Sequence, residues 1–192
     1  MPANPAVVNH LLARRSVSLP FLEPPGPDQA ELETLLTIAT RVPDHGKLAP
    51  WRLVLFEGAA RAQAGEKMAA LMLAREPDLP AERIAEERSR FVPAPLTVGV
   101  ISTAAPHPKI PEFEQLISAG NVAFALVQGA HALGFAAYWV TRWFAYDPEA
   151  SALLGARPGE RFVGFVHIGT PAIVPAERDR PALEDVVTRW AG

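Results

Sequence analysis

An α+β layered domain is the fold class that this sequence predicts, and three observations carry it. Hydrophobic residues recur at helical spacing in some segments and form short aliphatic and aromatic runs in others. The two kinds of segment are mixed without the strict strand–helix repeat of a doubly wound sheet. The chain has 192 residues, 49% of them hydrophobic and 20% charged, which suits one globular domain with one sizeable core. With no internal repeat and no linker-like stretch, that domain spans 1–192.

Prolines and glycines punctuate the elements. Val7, Val8, Leu11 and Leu12 predict a first helix from about Asn4 to Arg14, and "SLPFLEPPGP" stops it. A second helix runs from Asp28 to Thr40, with acidic residues at its positive end and Pro43 beyond its close. "WRLVLFE" reads as a strand, Ala59–Arg75 and Ala81–Phe91 as helices, and Leu96–Thr103 as a second strand. The segment from Glu112 to Leu133 is apolar almost all round after Leu116, so it predicts a central helix buried on most sides. "GFAAYWVT" and "RFVGFVHIGT" supply two more strands around a short helix at Pro148–Leu154, and the tail "ERDRPALEDVVTRW" a possible last one.

Several chemistries are excluded at once. The absence of cysteine removes disulfides, thiolate catalysis and cysteine-ligated metals. The five histidines form no HExxH pair or other compact cluster, so no metal site is expected. There is no GxSxG elbow, no GxxxxGK[ST] loop and no GxGxxG after a strand. A net charge of -3 with scattered Lys and Arg offers no nucleic-acid footprint. The longest apolar runs fall well short of the roughly 20 residues that cross a bilayer. No secretory signal is evident at the N-terminus, so a cytoplasmic location is the expectation.

Three local signals remain. "RRS", Arg14 to Ser16, offers two guanidinium groups and a hydroxyl that could surround a phosphate, or could simply complement a helix C-terminus. "RVPDHGKLAPWR" is a loop shaped by Asp44, Gly46 and flanking prolines, with His45 at its centre facing a ligand or only water, and Trp51 as a core anchor. "GFAAYWVTR" ends a strand at Thr141, where backbone groups could meet a planar ligand or the strand could be plain core.

In this order and spacing, "RRS", "PDHGKLAPWR", "SAGNVAFALVQGAHALGFAAYW" and "VGFVHIGTP" resemble the nitroreductase family of flavoproteins, in particular its short, minimal NAD(P)H nitroreductases. The resemblance implies a central, mostly antiparallel sheet flanked by helices, in an intertwined homodimer with FMN at the interface. It also implies that Arg14, Arg15 and Ser16 hold the phosphate and ribityl end of FMN. Arg180, with Arg178 beside it, would add phosphate contacts from the C-terminal tail. Trp139, Val140 and Thr141 would line the flavin ring, and Arg41 and His45 would approach the flavin held mainly by the partner subunit. Gly129, Ala130, His131, Ala132, Leu133 and Gly134 match the segment linked to NAD(P)H.

The implied activity is ping-pong hydride transfer from NAD(P)H through FMN to a nitroaromatic, quinone or similar small-molecule acceptor, with the flavin and no side chain carrying the chemistry. Two departures stand out. "PDHGKLAPW" lacks the Ser and Asn of the longer relatives' loop, and the chain has no room for the extra helices that shape their substrate pocket. Two other classes compete: an FMN-binding sensor or store that never turns over NAD(P)H, and a cofactor-free interaction domain.

Overall fold

The computed structural model describes residues 2–192. The helices are α1 (Pro5–Ala13), α2 (Gln29–Ala39), α3 (Ala59–Arg75), α4 (Ala81–Ser89), α5 (Glu112–Ala132), α6 (Pro148–Leu153) and α7 (Leu183–Val186). The strands are β1 (Leu22–Glu23), β2 (Trp51–Glu57), β3 (Leu96–Ser102), β4 (Ala136–Val140) and β5 (Arg161–Pro171). Every ladder is antiparallel. β5 is the hub: it pairs with β3, β4 and the two residues of β1, while β2 lies outside β3.

The α+β expectation holds, as a sheet covered on both faces. Leu96, Val98, Val100, Val166 and Ile168 point to the α2/α5 side and pack with Leu35, Val122 and Leu126. The alternate positions Ile101 and Phe165 point the other way, into a layer with Phe56, Phe91, Phe144 and Phe162 beneath α3 and α6. With both faces covered, every residue of β3 is buried, the polar Thr97 and Ser102 included. An extra residue in β5 between the partners of Val100 and Ile101 makes a bulge, with Gly164 opposite Val100. A Cβ on Gly164 would collide with the Trp139 indole and reach within 2.8 Å of the Val140 carbonyl oxygen, so glycine lets β4 bring Trp139 down onto β5.

One expectation fails, and the predicted first helix forms with its apolar face uncovered. The tail makes no strand; it forms the four-residue α7 and otherwise extended chain, because no sheet edge pairs with it. The apolar face of α1 is real, yet α1 buries no residue. Leu12 is 79% exposed, and the His10 ring and Gln128 side chain, 3.0 Å apart, join α1 to α5. α2 carries a full capping box, Asp28 accepting from the Glu31 backbone N–H while the Glu31 carboxylate accepts from that of Asp28, which fixes its start. No helix among the described residues is long and apolar enough to cross a membrane.

Candidate functional site

The end of α5 is shaped by its sequence. Gly134, with φ 89°, closes the helix: its N–H donates to the His131 carbonyl and that of Phe135 to Ala130 at 2.9 Å. The chain then turns straight into β4. Against this corner, residues 13–17 after α1 and residues 171–177 after β5 enclose a cleft of about 490 Å3, lined among others by Arg14, Arg15, His131, Phe135 and Ile173.

The cleft is cationic. Arg14 makes no ion pair among the described residues, and its guanidinium donates only a long 3.5 Å bond to Ser16 Oγ. Burial, then Arg180 and Arg15, push its pKa down. Arg15 is engaged with the tail, donating to the Ala176 carbonyl and, at 3.2 Å, to Glu177, which Arg180 approaches at 4.0 Å. Two guanidinium groups therefore share the Glu177 carboxylate, while Arg14 lines the cleft without one. Burial, with Arg14 and His10 nearby, lowers the His131 pKa to about 4 and keeps the ring neutral. Its Nε2 is buried without a partner, an unmet hydrogen bond that a ligand in the cleft would satisfy. Arg178 is exposed, its backbone N–H donating to Glu177 at 2.8 Å.

β4 leads from this cleft to a second, open depression of about 410 Å3 formed by Tyr138, Trp139, Val140, Thr141 and Arg142. The ladder pairs one side of β4 with β5. On the other side Val17 N–H donates to the Ala137 carbonyl, so by alternation the backbone groups of Trp139 also face outward, unpaired among the described residues. Between Ala136 and Val140 the strand spans about 13 Å. An anion in the first cleft and a planar polar ring in the second could thus belong to one molecule.

The remaining predicted residues lie elsewhere. His45 sits in a single tight turn, where Gly46, Lys47 and Ala49 all have positive φ (71°, 57° and 46°), local strain of the kind functional loops store. Asp44 accepts from the Leu48 and Ala49 N–H groups, and Ser118 of α5 donates to the Pro43 carbonyl at 2.6 Å. His45 Nδ1 lies 2.7 Å from Glu114, in the first turn of α5. Arg41 lines a groove against Phe124 and Gln128, midway along the same helix. From Glu114 to His131, α5 rises about 25 Å, so within one chain His45 cannot reach the cleft at Arg14. Trp51 is half-buried against the α2/α5 core, as an anchor should be.

The segment Gly129–Gly134 is divided. Gly129 packs under α2, where a Cβ would come within 2.9 Å of Leu35 and 3.1 Å of Ile38. Ala130 is fully buried and Leu133 half-buried in the same core, while His131 lines the cationic cleft and Ala132 and Gly134 are exposed. Among the described residues no cluster of His, Asp or Glu could hold a metal ion.

The sequence profile of the nitroreductase family matches residues 11–170, taking in both depressions apart from the outer tail. The chain belongs to the nitroreductase family. A relative of this nitroreductase-family chain is YdjA of Escherichia coli strain K12, provisionally named an NAD(P)H nitroreductase. It is 30% identical over 165 residues, 85% of this chain and 87% of YdjA. Among solved structures, a nitroreductase-like family protein from Bacillus cereus superposes with a TM-score of 0.81 at 22% identity, each chain covered in full. A nitroreductase from Bacteroides fragilis, solved with bound FMN, gives 0.70 at 18% identity over 98% of this chain and 100% of that one. These likenesses establish the antiparallel, helix-flanked nitroreductase fold.

Arg142 was not legible as a site residue. It lines the second depression with a backbone φ of 50° and a buried, unpartnered Nε. Nothing in "VTRWF" marks it, because both properties depend on the folded neighbours.

Proposed function

We propose that this protein is an FMN-dependent oxidoreductase that takes hydride from NAD(P)H and passes it to a small oxidised acceptor. The observation that carries this reading is a cationic cleft with an unsatisfied His131 Nε2, joined by one strand to an open depression beside Trp139, in a nitroreductase-family chain.

The residues fit the cofactor. Arg14, without a carboxylate partner, suits a phosphate, with Arg180 and Ser16 as further donors and Arg15 holding the tail that walls the cleft. The outward backbone groups of Trp139, with Val140 and Thr141 beside them, suit the polar edge of a planar ring. FMN supplies the centre that accepts and returns hydride, and the chain binds it, orients it and tunes it. A nicotinamide nucleotide would meet the segment Gly129–Gly134 at His131, Ala132 and Gly134, the positions that Gly129, Ala130 and Leu133 do not bury. Donor and acceptor use the one site in turn, a ping-pong order.

The reading includes a homodimer. α1, the outer face of α5 at Phe113, Ile117 and Phe124, and the tail at Leu183, Val187 and Trp190 expose apolar side chains in a single chain. His45 joins the cleft only if a second chain brings it there, and Arg41 would come with it on the same loop.

The test is the spectrum of the purified protein, followed by anaerobic addition of NADH and then NADPH. Flavin absorption that bleaches rapidly with either nucleotide is the expected result. A colourless protein that takes up no added FMN would sink the proposal. A flavin that binds but stays oxidised would favour a sensor or store.

A further inference from the structure

The second depression holds a charge that no other group among the described residues engages. Arg142 follows Thr141 directly and turns at φ 50°, a conformation that non-glycine residues rarely take. Its guanidinium enters no hydrogen bond and no ion pair among the described residues. The Nε is buried, and the terminal nitrogens are left to the depression that Arg142 lines. The nearest carboxylates are already committed. Buried Glu87 accepts from Arg90 at 3.0 and 3.2 Å through one oxygen and from the Trp143 indole N–H at 3.0 Å through the other. Glu86 pairs with Arg83 and, at 2.6 Å, with Arg90. Three guanidinium groups thus stand beside two carboxylates.

The surroundings press the same way. Burial lowers the Arg142 pKa, and Arg90 lowers it further, against weaker opposing effects from Tyr138, Glu87 and Glu86. His167, buried behind it, is neutral, hydrogen-bonded through Nδ1 to Thr97 at 2.8 Å, and offers no charge. An arginine stays protonated even when buried, so the positive charge persists. It is preorganised, partly desolvated and strong, the condition under which a fixed charge stabilises an anion that appears beside it.

We infer that Arg142 is the group that stabilises the negative charge appearing on the flavin ring when hydride arrives, and so raises the reduction potential of the bound cofactor. The inference rests on the FMN reading above. Hydride from a nicotinamide carries two electrons and one proton, so its delivery to a neutral oxidised ring leaves one negative charge there and an oxidised, cationic nicotinamide. Loss of Arg142's charge should weaken reduced flavin while leaving oxidised flavin nearly as well held.

The experiment is the midpoint potential of the FMN-loaded protein, measured at equilibrium against a reference dye, for the native chain and for Arg142→Gln and Arg142→Lys. In Arg142→Gln the preference for reduced over oxidised flavin should fall about tenfold to a hundredfold, a drop of about 30–60 mV for this two-electron couple. Arg142→Lys, which keeps the charge, should recover most of that loss. An FMN-loaded Arg142→Gln protein with the native potential overturns the inference. Equal drops in both variants overturn it too, because the effect would then follow shape and not charge. Should Arg142→Gln fail to hold flavin, a native potential in Arg142→Asn or Arg142→Met overturns it in the same way. A native chain that binds no FMN overturns the flavin reading itself, a different readout from any shift in potential.

Discussion

The two apolar regions of this molecule differ in what completes them. Between the sheet and α3/α6, Phe91, Phe144 and Phe165 pack with ring centroids 5.0–5.6 Å apart and are essentially inaccessible. That layer is finished within one chain. The second region, made of α1, the outer face of α5 and the tail, is also apolar, but Trp190 is 91% exposed and α1 buries nothing. The same hydrophobic force acts on both, so the second region is unfinished in a single chain. The site follows the same division: its cationic cleft is built by one chain, while His45 stands at the far end of α5 and Arg41 midway along it.

The largest expected effect tests the finished region. Phe165→Ala should lose about 3–5 kcal/mol in denaturant unfolding, from lost burial and the cavity it leaves. Leu12→Asp should leave the unfolding of the isolated chain nearly unchanged and shift sedimentation from dimer to monomer. Equal losses of stability, or no change in sedimentation, would break the comparison.

Next comes the cleft. Arg14, without a carboxylate partner, should matter more to a bound phosphate than Arg15, which the tail already engages. Arg14→Ala should weaken FMN binding tenfold to a hundredfold, about 1.4–2.8 kcal/mol, and Arg15→Ala less, with looser proteolytic protection of residues 174–180. Titration by flavin fluorescence checks the order, and a larger loss in Arg15→Ala would reverse it.

Acid separates the regions again. His131 has a folded pKa near 4 and His167 near 3, both below the ordinary value of 6.5. Between 6.5 and those values the unfolded chain binds more protons. Their contribution is therefore complete above pH 6.5 and is lost as pH falls, by about 1.4 kcal/mol per unit for each histidine. A phosphate beside His131 would favour its charged form and raise its pKa. FMN should thus blunt the His131 part of the acid loss, about 2 kcal/mol by pH 5, and spare the His167 part. An acid slope identical with and without FMN would remove His131 from the phosphate site.

How much of this was legible follows from where the information resides. β2, β3, β5 and α5 were readable because their periods are strong and their neighbours are apolar. The two residues of β1 carry no period at all, and the tail reads as a strand although it pairs with no strand of the sheet. Arg14 and Arg15 were readable as a donor cluster; that one faces the cleft and the other grips the tail depends on residues about 160 positions away. The same holds for Arg142, whose role depends on Glu87 being taken by Arg90 and Trp143. The apolar stripe of α1 was plain, but a stripe does not say which surface covers it.

The smallest expected effect is the most discriminating. His45 and Glu114 form an exposed pair at 2.7 Å, so His45→Ala should change stability by no more than about 1 kcal/mol, less at high salt. Its effect on FMN affinity should be a few-fold, and its value lies in combination. If the site is shared across a dimer, pairing an Arg14→Ala chain with a His45→Ala chain puts both lesions at one site and leaves the other intact. Half of the flavin should then bind with native affinity and half poorly. If His45 served its own chain's cleft, the same heterodimer would carry one lesion at each site, and neither would bind as the native does. Two tagged chains purified as a heterodimer and titrated with FMN show whether the tighter half of the sites binds with native affinity or a few-fold more weakly, and the second outcome would place His45 outside the shared site.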